Sequence, residues 1–309
     1  MRRLLLILAA AALVAPGCGG GEGAPDAPQR VVVVAGFYPL AWAAAEIGGG
    51  DVEVVNLTPP GAEAHDLELS ARDVARVRGA DVVLYVGSSF QPPLEEAAAD
   101  HPRAIDVLDR LALRWPEEHD DDHTDHGHTD GHEDDGDAEE HDHAGDPHVW
   151  LDPQLFAQVA RRIGAELARP EAGEELARRL EALDRELEQG LESCVRREIV
   201  TSHAAFGYLA DRYGLVQVAI SGIAPEAEPN PRALARVVER VRETGATTIF
   251  HEPLGSPRVA EAVAREAGVS VAELNPLEGL TREELERDED YVSVMRRNLA
   301  ALRGALECE

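Results

Sequence analysis

The 309-residue chain contains no lysine: all 29 of its basic residues are arginine. Against them stand 59 carboxylates, giving a formal net charge of −30 with histidine neutral. Phosphate backbones are held by basic surfaces, so this balance argues against nucleic acid as a partner and favours cations. Aromatic residues are scarce, at 4%, so a core has to be built mainly from Ala, Val and Leu. The apolar run Leu4–Val14 has eleven residues, too few for a bilayer span of about 20. No HExxH, GxSxG or phosphate-loop pattern is present, so the usual signatures of a zinc protease, a serine hydrolase and a nucleotide site are missing. What the chain does have is 44% apolar residues and enough length for two packed domains.

The N-terminus reads as a processed segment. Arg2 and Arg3 precede the short apolar run, and Ala15-Pro16-Gly17-Cys18 follows it. This is the pattern of a secretory leader over residues 1–17. A small residue before a cysteine at that point resembles a bacterial lipobox, although Ala15 stands where leucine is usual. Cys18 is therefore expected to be lipidated and to become the mature N-terminus. Residues 18–30, rich in Gly, Pro and Ala, read as a flexible tether. The expected location is extracytoplasmic, lipid-anchored to the outer face of the bacterial cytoplasmic membrane. A disulfide can persist there. A Cys194–Cys308 bridge would staple down the last helix; two isolated thiols are the alternative.

Beyond the tether, strand-like and helical patterns alternate. Val31–Val34, Val52–Leu57, Asp81–Gly87 and Ala104–Leu108 read as strands, with helices at 39–47, 70–77 and 94–99 between them. The alternation resumes later: strands at 198–201, 216–220, 247–251 and 269–274, and helices at 204–213, 231–244 and 257–267, then a last helix at 290–306. Between the two series, residues 153–167 are helical, and residues 171–194 carry Leu176, Leu180, Leu183, Leu187 and Leu191 at spacings of three and four. The expected fold class is α/β, with two similar parallel-sheet α/β lobes, 31–168 and 195–309, joined by a long rigid bridging helix at 171–194.

One segment breaks this order. Residues 117–146 hold fifteen acidic residues, no basic one, and seven of the twelve histidines: His119, His123, His126, His128, His132, His141 and His143. Such a segment cannot bury a core and reads as a disordered loop. Its expected role is low-affinity capture of metal; a solubilising insertion with incidental histidines is the plainer alternative.

Five histidines remain. His65 follows the second strand, His203 follows the strand that opens the second lobe, and His148 opens the second half in Asp146-Pro147-His148. In open α/β sheets, ligand groups gather beyond the carboxyl ends of strands. Two or three imidazoles converging there make a nitrogen-rich site suited to Zn2+. His101 reads as exposed in a turn. His251 ends a strand and stays ambiguous, and Glu252 beside it reads as part of a cleft wall.

The motifs GAEAHDLELS, DPHVWLDP, TSHAAFGYLADRYGL and NPLEGL, in this order and spacing, resemble the metal-binding lipoproteins of zinc and manganese ABC transporters. The resemblance covers residues 31–308 and is nearest to the high-affinity zinc-uptake branch. It implies two α/β lobes bridged by a rigid helix, with a metal in the cleft held by His65, His148 and His203. Manganese-binding relatives usually have glutamate at the third position, so His203 implies zinc. The family usually has aspartate at a fourth position where this chain has Asn275. A water, Glu63 or an Asn275 oxygen are the candidates to complete the site.

The expected function is therefore an extracytoplasmic zinc receptor of an ABC importer, a monomer that delivers Zn2+ to a membrane permease and catalyses nothing. The competing readings are a zinc-dependent hydrolase using three histidines and a water, with Glu63 as base, and a manganese or iron receptor of the same fold. A cell-adhesion role on the same scaffold stays open.

Overall fold

The computed structural model describes residues 30–111, 113, 145–223 and 231–309. The leader and the lipidation site expected within residues 1–29, and all seven histidines of the acidic loop, lie outside them. Two four-stranded sheets form, both wholly parallel. The first has the order β2-β1-β3-β4, with β1 Val31–Ala35, β2 Val52–Asn56, β3 Val82–Tyr85 and β4 Ala104–Asp106. The second repeats the scheme as β6-β5-β7-β8, with β5 Glu198–Thr201, β6 Val216–Ala219, β7 Thr248–His251 and β8 Ser270–Glu273. Val33, Val82, Val83, Leu84, Ile199, Val200 and Ile249 are fully or almost fully buried. Runs of this kind are typical of central strands of a parallel sheet covered on both faces by helices.

The covering helices of the first lobe are α1 Tyr38–Gly48, α2 Ala71–Gly79 and α3 Pro92–Ala98. Helix α2 starts in a capping box between Ser70 and Asp73, which satisfies two otherwise unpaired amides. Then come α4 Pro153–Glu166 and the long α5 Pro170–Leu191. Asp152 caps α4 by accepting from the amides of Gln154 and Leu155. The leucine stripe read from the sequence is the buried face of α5: Leu176, Leu180, Leu183, Leu187 and Leu191 are all inside. Each such side chain removed from water stabilises the fold by about 1.5–3 kcal/mol. Helices α4 and α5 meet without side chains between them at one point, because a Cβ on Gly164 would lie 2.7 Å from Gly173 Cα.

The second lobe carries α6 Gly207–Tyr213, α7 Pro231–Thr244, α8 Arg258–Ala267, a short α9 Arg282–Glu286 and α10 Tyr291–Leu306. The segment expected as one helix from 204 is a turn of 3-10 helix, Ala204–Phe206, followed by α6. The bridging helix ends at Leu191 rather than at Cys194. Cys194 lies beyond it and is joined to Cys308 in a disulfide. Asp184, buried on α5, accepts hydrogen bonds from Gln154 of α4 at 2.8 Å, from Arg212 of α6 at 2.7 and 2.8 Å, and from the Tyr213 hydroxyl at 3.1 Å. The bridge is thus tied to its neighbours by polar as well as apolar contacts. Among the described residues, no helix is long and apolar enough to cross a membrane.

Candidate metal site

In a sheet ordered 2-1-3-4, the connections leave the first strand in opposite directions, and a crevice opens at the carboxyl ends of the strands where they diverge. Both sheets have this order, and the functional side chains collect at those ends. His65 comes from the loop after β2. That loop is pinned by Gln91, whose amide donates to the carbonyls of Ala64 at 2.9 Å and Gly36 at 3.4 Å and to Thr58 Oγ1 at 3.2 Å. His148 stands just before a 3-10 turn at Val149–Leu151. Its backbone amide and its ring Nδ1 both donate to Asp146 Oδ1, at 3.0 and 2.7 Å. His203 follows β5 directly, and its carbonyl accepts from Thr201 and Gln217.

The structure brings these three histidines together and adds a residue that sequence reasoning missed. Glu278, in the loop after β8, offers an oxygen 3.2 Å from His203 Nε2, 3.3 Å from His148 Nε2 and 3.6 Å from His65 Nε2. One ligand atom from each of the four side chains lies within 4.8 Å of all the others. Tetrahedral Zn2+ with Zn–N near ~2.0–2.1 Å needs ligand atoms about 3.3–3.4 Å apart. The carboxylate is already at that spacing from two imidazoles. Nε2 of His65 and Nε2 of His148 are buried without a well-formed hydrogen bond. An unsatisfied buried polar atom costs about 1–3 kcal/mol, and a cation between these nitrogens and the Glu278 oxygen would satisfy both. The residues therefore fit a zinc ion.

Asn275 does not enter this cluster. Its Oδ1 accepts from the Leu277 amide at 2.7 Å and its Nδ2 donates to Glu284 at 2.9 Å, so both ends of the side chain are engaged away from the histidines. Water, placed first among the candidates from the sequence, is not needed to complete a four-ligand set once Glu278 is counted. Glu63 is not one of the four but stands beside Glu278. His251 is outside the cluster as well, with Nδ1 directed at the Glu252 carbonyl 3.2 Å away. His101 is half-buried rather than exposed: it bonds the Ala80 carbonyl and accepts from the Arg103 amide. Glu252 is more than wall, because its Oε1 lies 2.5 Å from His203 Nδ1.

One signal for Glu278 was present in the sequence. It is the sole charged residue in Leu274–Leu280, and every residue of that stretch is buried. A carboxylate placed in so apolar a segment has to find a partner or a cation.

The electrostatics follow from this packing. Burial by itself would lower the His203 imidazolium, but hydrogen bonds to Glu252 and Glu278 outweigh it and raise the pKa to about 10. In His148, burial is likewise overcome by Asp146 and Glu278, and the value is raised. Glu278 moves the other way: burial would raise it, but His148 and His203 hold it well below the usual carboxylate range. Glu63 is pushed up to about 9, first by burial and then by the charge of Glu278. Asp146 and Glu252 each hold a Nδ1–H, which turns Nε2 of His148 and of His203 toward the centre. A carboxylate behind an imidazole fixes its tautomer and strengthens it as a metal ligand.

The site lies where the two lobes meet. The Gly61 amide, on the loop that carries His65, donates to the Leu280 carbonyl at 3.0 Å, on the loop that carries Glu278. Trp150 Nε1 donates to the Pro276 carbonyl at 2.7 Å, and the rings of Phe90 and Trp150 pack against His65 and His148. The cluster is thus enclosed by aromatic walls, and His65 is the only one of its four residues not fully buried.

Residues 33–305 match the family described as ZnuA, zinc-uptake complex component A, periplasmic, and the chain belongs to that family. It is 34% identical to the zinc-binding lipoprotein AdcA of Streptococcus pneumoniae serotype 4, over 100% of this chain and 62% of that one. The chain therefore spans less than two thirds of that relative's length. It is 31% identical to the high-affinity zinc uptake system protein ZnuA of Bacillus subtilis, over 98% of this chain and 97% of the relative. Among solved structures it resembles the Zn(II)-bound ZnuA-like domain of Streptococcus pneumoniae AdcA, with a TM-score of 0.69 and 31% identity over 90% of this chain and 99% of that one. It also resembles the laminin-binding protein Lmb of Streptococcus agalactiae, described as bifunctional with adhesin and metal-transporting activity. There the TM-score is 0.72 and the identity 27%, over 90% of this chain and 100% of that one.

Proposed function

We propose that the chain is an extracytoplasmic receptor that captures Zn2+ between its lobes through His65, His148, His203 and Glu278 and delivers it to an ABC-type permease in the membrane. The observation that carries this reading is the Glu278 oxygen standing 3.2–3.6 Å from three imidazole nitrogens. Three nitrogens and one oxygen favour zinc over the harder manganese ion. A complete set of four side chains favours holding an ion over using it for hydrolysis, because a catalytic zinc keeps one position open for water. Three neutral imidazoles and one carboxylate leave the bound ion a net positive charge, which Asp146, Glu252 and Glu63 surround with carboxyl groups.

The remaining expectations attach to this reading. Cys18 anchors the mature chain to the membrane through lipid, residues 18–30 give it reach, and the histidines between 119 and 143 raise the local zinc concentration. The receptor works as a monomer.

The test is an anaerobic zinc titration, against a competing chelator, of the mature chain lacking residues 117–144, a deletion that takes out the seven loop histidines and keeps Asp146 behind His148. One tight equivalent, lost in His203→Ala and weakened in Glu278→Gln, supports the receptor. Loss of tight binding with the loop alone would make the cleft assignment wrong. Release of a Cys18→Ala variant from the membrane fraction tests the anchor separately.

A further inference from the structure

Asn275 belongs to a densely hydrogen-bonded stretch of the second lobe. It is buried, and each of its four polar groups has a partner. Its amide donates to Asn298 Oδ1 at 2.9 Å and its carbonyl accepts from Asn298 Nδ2 at 2.7 Å. Its side chain donates to Glu284 and accepts from the Leu277 amide. Glu284 in turn is fixed by Arg297 and by the Thr281 amide, at the cap of α9. The next residue, Pro276, is held through its carbonyl by Trp150.

Leu277, the residue before Glu278, has φ +62° and is completely buried. A branched, bulky residue rarely occupies this left-handed region, and it persists there only where its surroundings over-determine it. The bond from the Leu277 N–H to Asn275 Oδ1 is a two-residue side-chain turn of the kind asparagine forms. It binds the strained residue directly. The direction of the chain at Leu277 decides where the Glu278 side chain begins, and Glu278 then reaches all three imidazoles.

We propose that Asn275 is the positioning residue for Glu278: by accepting the Leu277 N–H it holds the left-handed turn that aims the Glu278 carboxylate at His65, His148 and His203. This rests on the reading of Glu278 as the fourth zinc ligand. An asparagine that stands where an oxygen ligand was expected thus serves the metal through its neighbour.

A double-mutant cycle separates this role from simple support of the fold. Zinc affinity is measured by chelator competition for wild type, Asn275→Ala, Glu278→Gln and the double variant. Visible spectra of the Co2+ forms report coordination, and melting of the zinc-free proteins reports stability. Asn275→Ala is expected to weaken zinc about 10–100-fold and to change the Co2+ band as Glu278→Gln does. In the Glu278→Gln background it should cost no further affinity while still lowering the melting temperature. Asn275→Asp keeps the acceptor oxygen, so it should bind within about threefold of wild type, although the new charge beside Glu284 makes it melt earlier. Should Asn275→Ala not fold, Asn275→Asp decides alone: near-normal binding supports the proposal, and a loss as large as that of Glu278→Gln overturns it. An Asn275→Ala effect of equal size in both backgrounds, or no effect on affinity, also overturns it. An unchanged affinity in Glu278→Gln would instead sink the ligand assignment on which the proposal stands.

Discussion

Nδ1 of His203 lies 2.5 Å from Oε1 of Glu252, and the two side chains are buried together at the carboxyl ends of the neighbouring strands β5 and β7. The contact leaves one tautomer available to a metal-binding His203, with the proton on Nδ1 and the lone pair of Nε2 turned toward Glu278. Replacing Glu252 by alanine should therefore weaken zinc about 10–100-fold without removing any ligand. Glutamine, which can still accept from Nδ1–H, should weaken it less. Chelator-competition titrations of both variants check this; equal affinities for wild type and Glu252→Ala would refute it.

Zinc binding should release protons at neutral and mildly alkaline pH. With its pKa raised to about 10, His203 carries two ring protons below that pH, and a metal must displace the one on Nε2. Affinity should accordingly increase with pH between 7 and 9. Calorimetry in buffers of different ionisation enthalpy at pH 8 should count about one proton or more per zinc. A count of zero would contradict the assignment of the cluster.

The zinc-free protein should lose stability as pH rises. His203 and Glu63 both have folded pKa values above their ordinary ones, about 10 against 6.5 and about 9 against 4.5. In that range the folded state binds more protons than the unfolded state, so the slope of stability against pH is negative. The His203 contribution is complete below about 6.5 and disappears toward 10. The Glu63 contribution declines from about 4.5 to 9. Melting temperatures of the zinc-free chain at pH 6.5 and 9 should fall in that order, and zinc should flatten the difference.

Much of this was legible in the sequence, and the limits have physical causes. The strands announced themselves as short apolar runs, and helix α5 by its leucine stripe, because each element has to bury one face. His65 and His203 were legible because they sit at strand ends, where an α/β sheet places its ligands. Glu278 was not, since its approach depends on a left-handed Leu277 and on tertiary bonds from Trp150 and Asn298, which lie 126 and 23 residues away from their partners. Asn275 misled for the same reason: the side chain points into a hydrogen-bond network that no local pattern announces. The role of Glu252 required knowing that β7 lies beside β5, a pairing between segments about 50 residues apart.

Reducing the Cys194–Cys308 bond should destabilise the protein. The bridge closes a 114-residue separation that contains the entire second sheet. Removing such a cross-link typically costs about 2–5 kcal/mol. A Cys194→Ser, Cys308→Ser variant should melt earlier than wild type yet still bind one zinc, because neither cysteine is a member of the metal cluster. Guanidinium unfolding with and without reductant provides the measurement.

Replacing Asp184 by alanine should cost about 1–3 kcal/mol, because it strands Arg212, Tyr213 and Gln154 at once. Its effect on zinc affinity should be small compared with that of Glu252→Ala, and thermal melting beside the same titration checks both.

The contact between Gly164 and Gly173 makes a single strut of helices α4 and α5. At that point, close to the turn that joins them, backbone lies on backbone, and any side chain larger than a hydrogen would wedge the two helices apart. On the side of the metal cluster, the bond from Gly61 to Leu280 joins the loops that carry His65 and Glu278. Parting these two loops would take His65 away from Glu278, so the four-residue cluster would come open where that seam does.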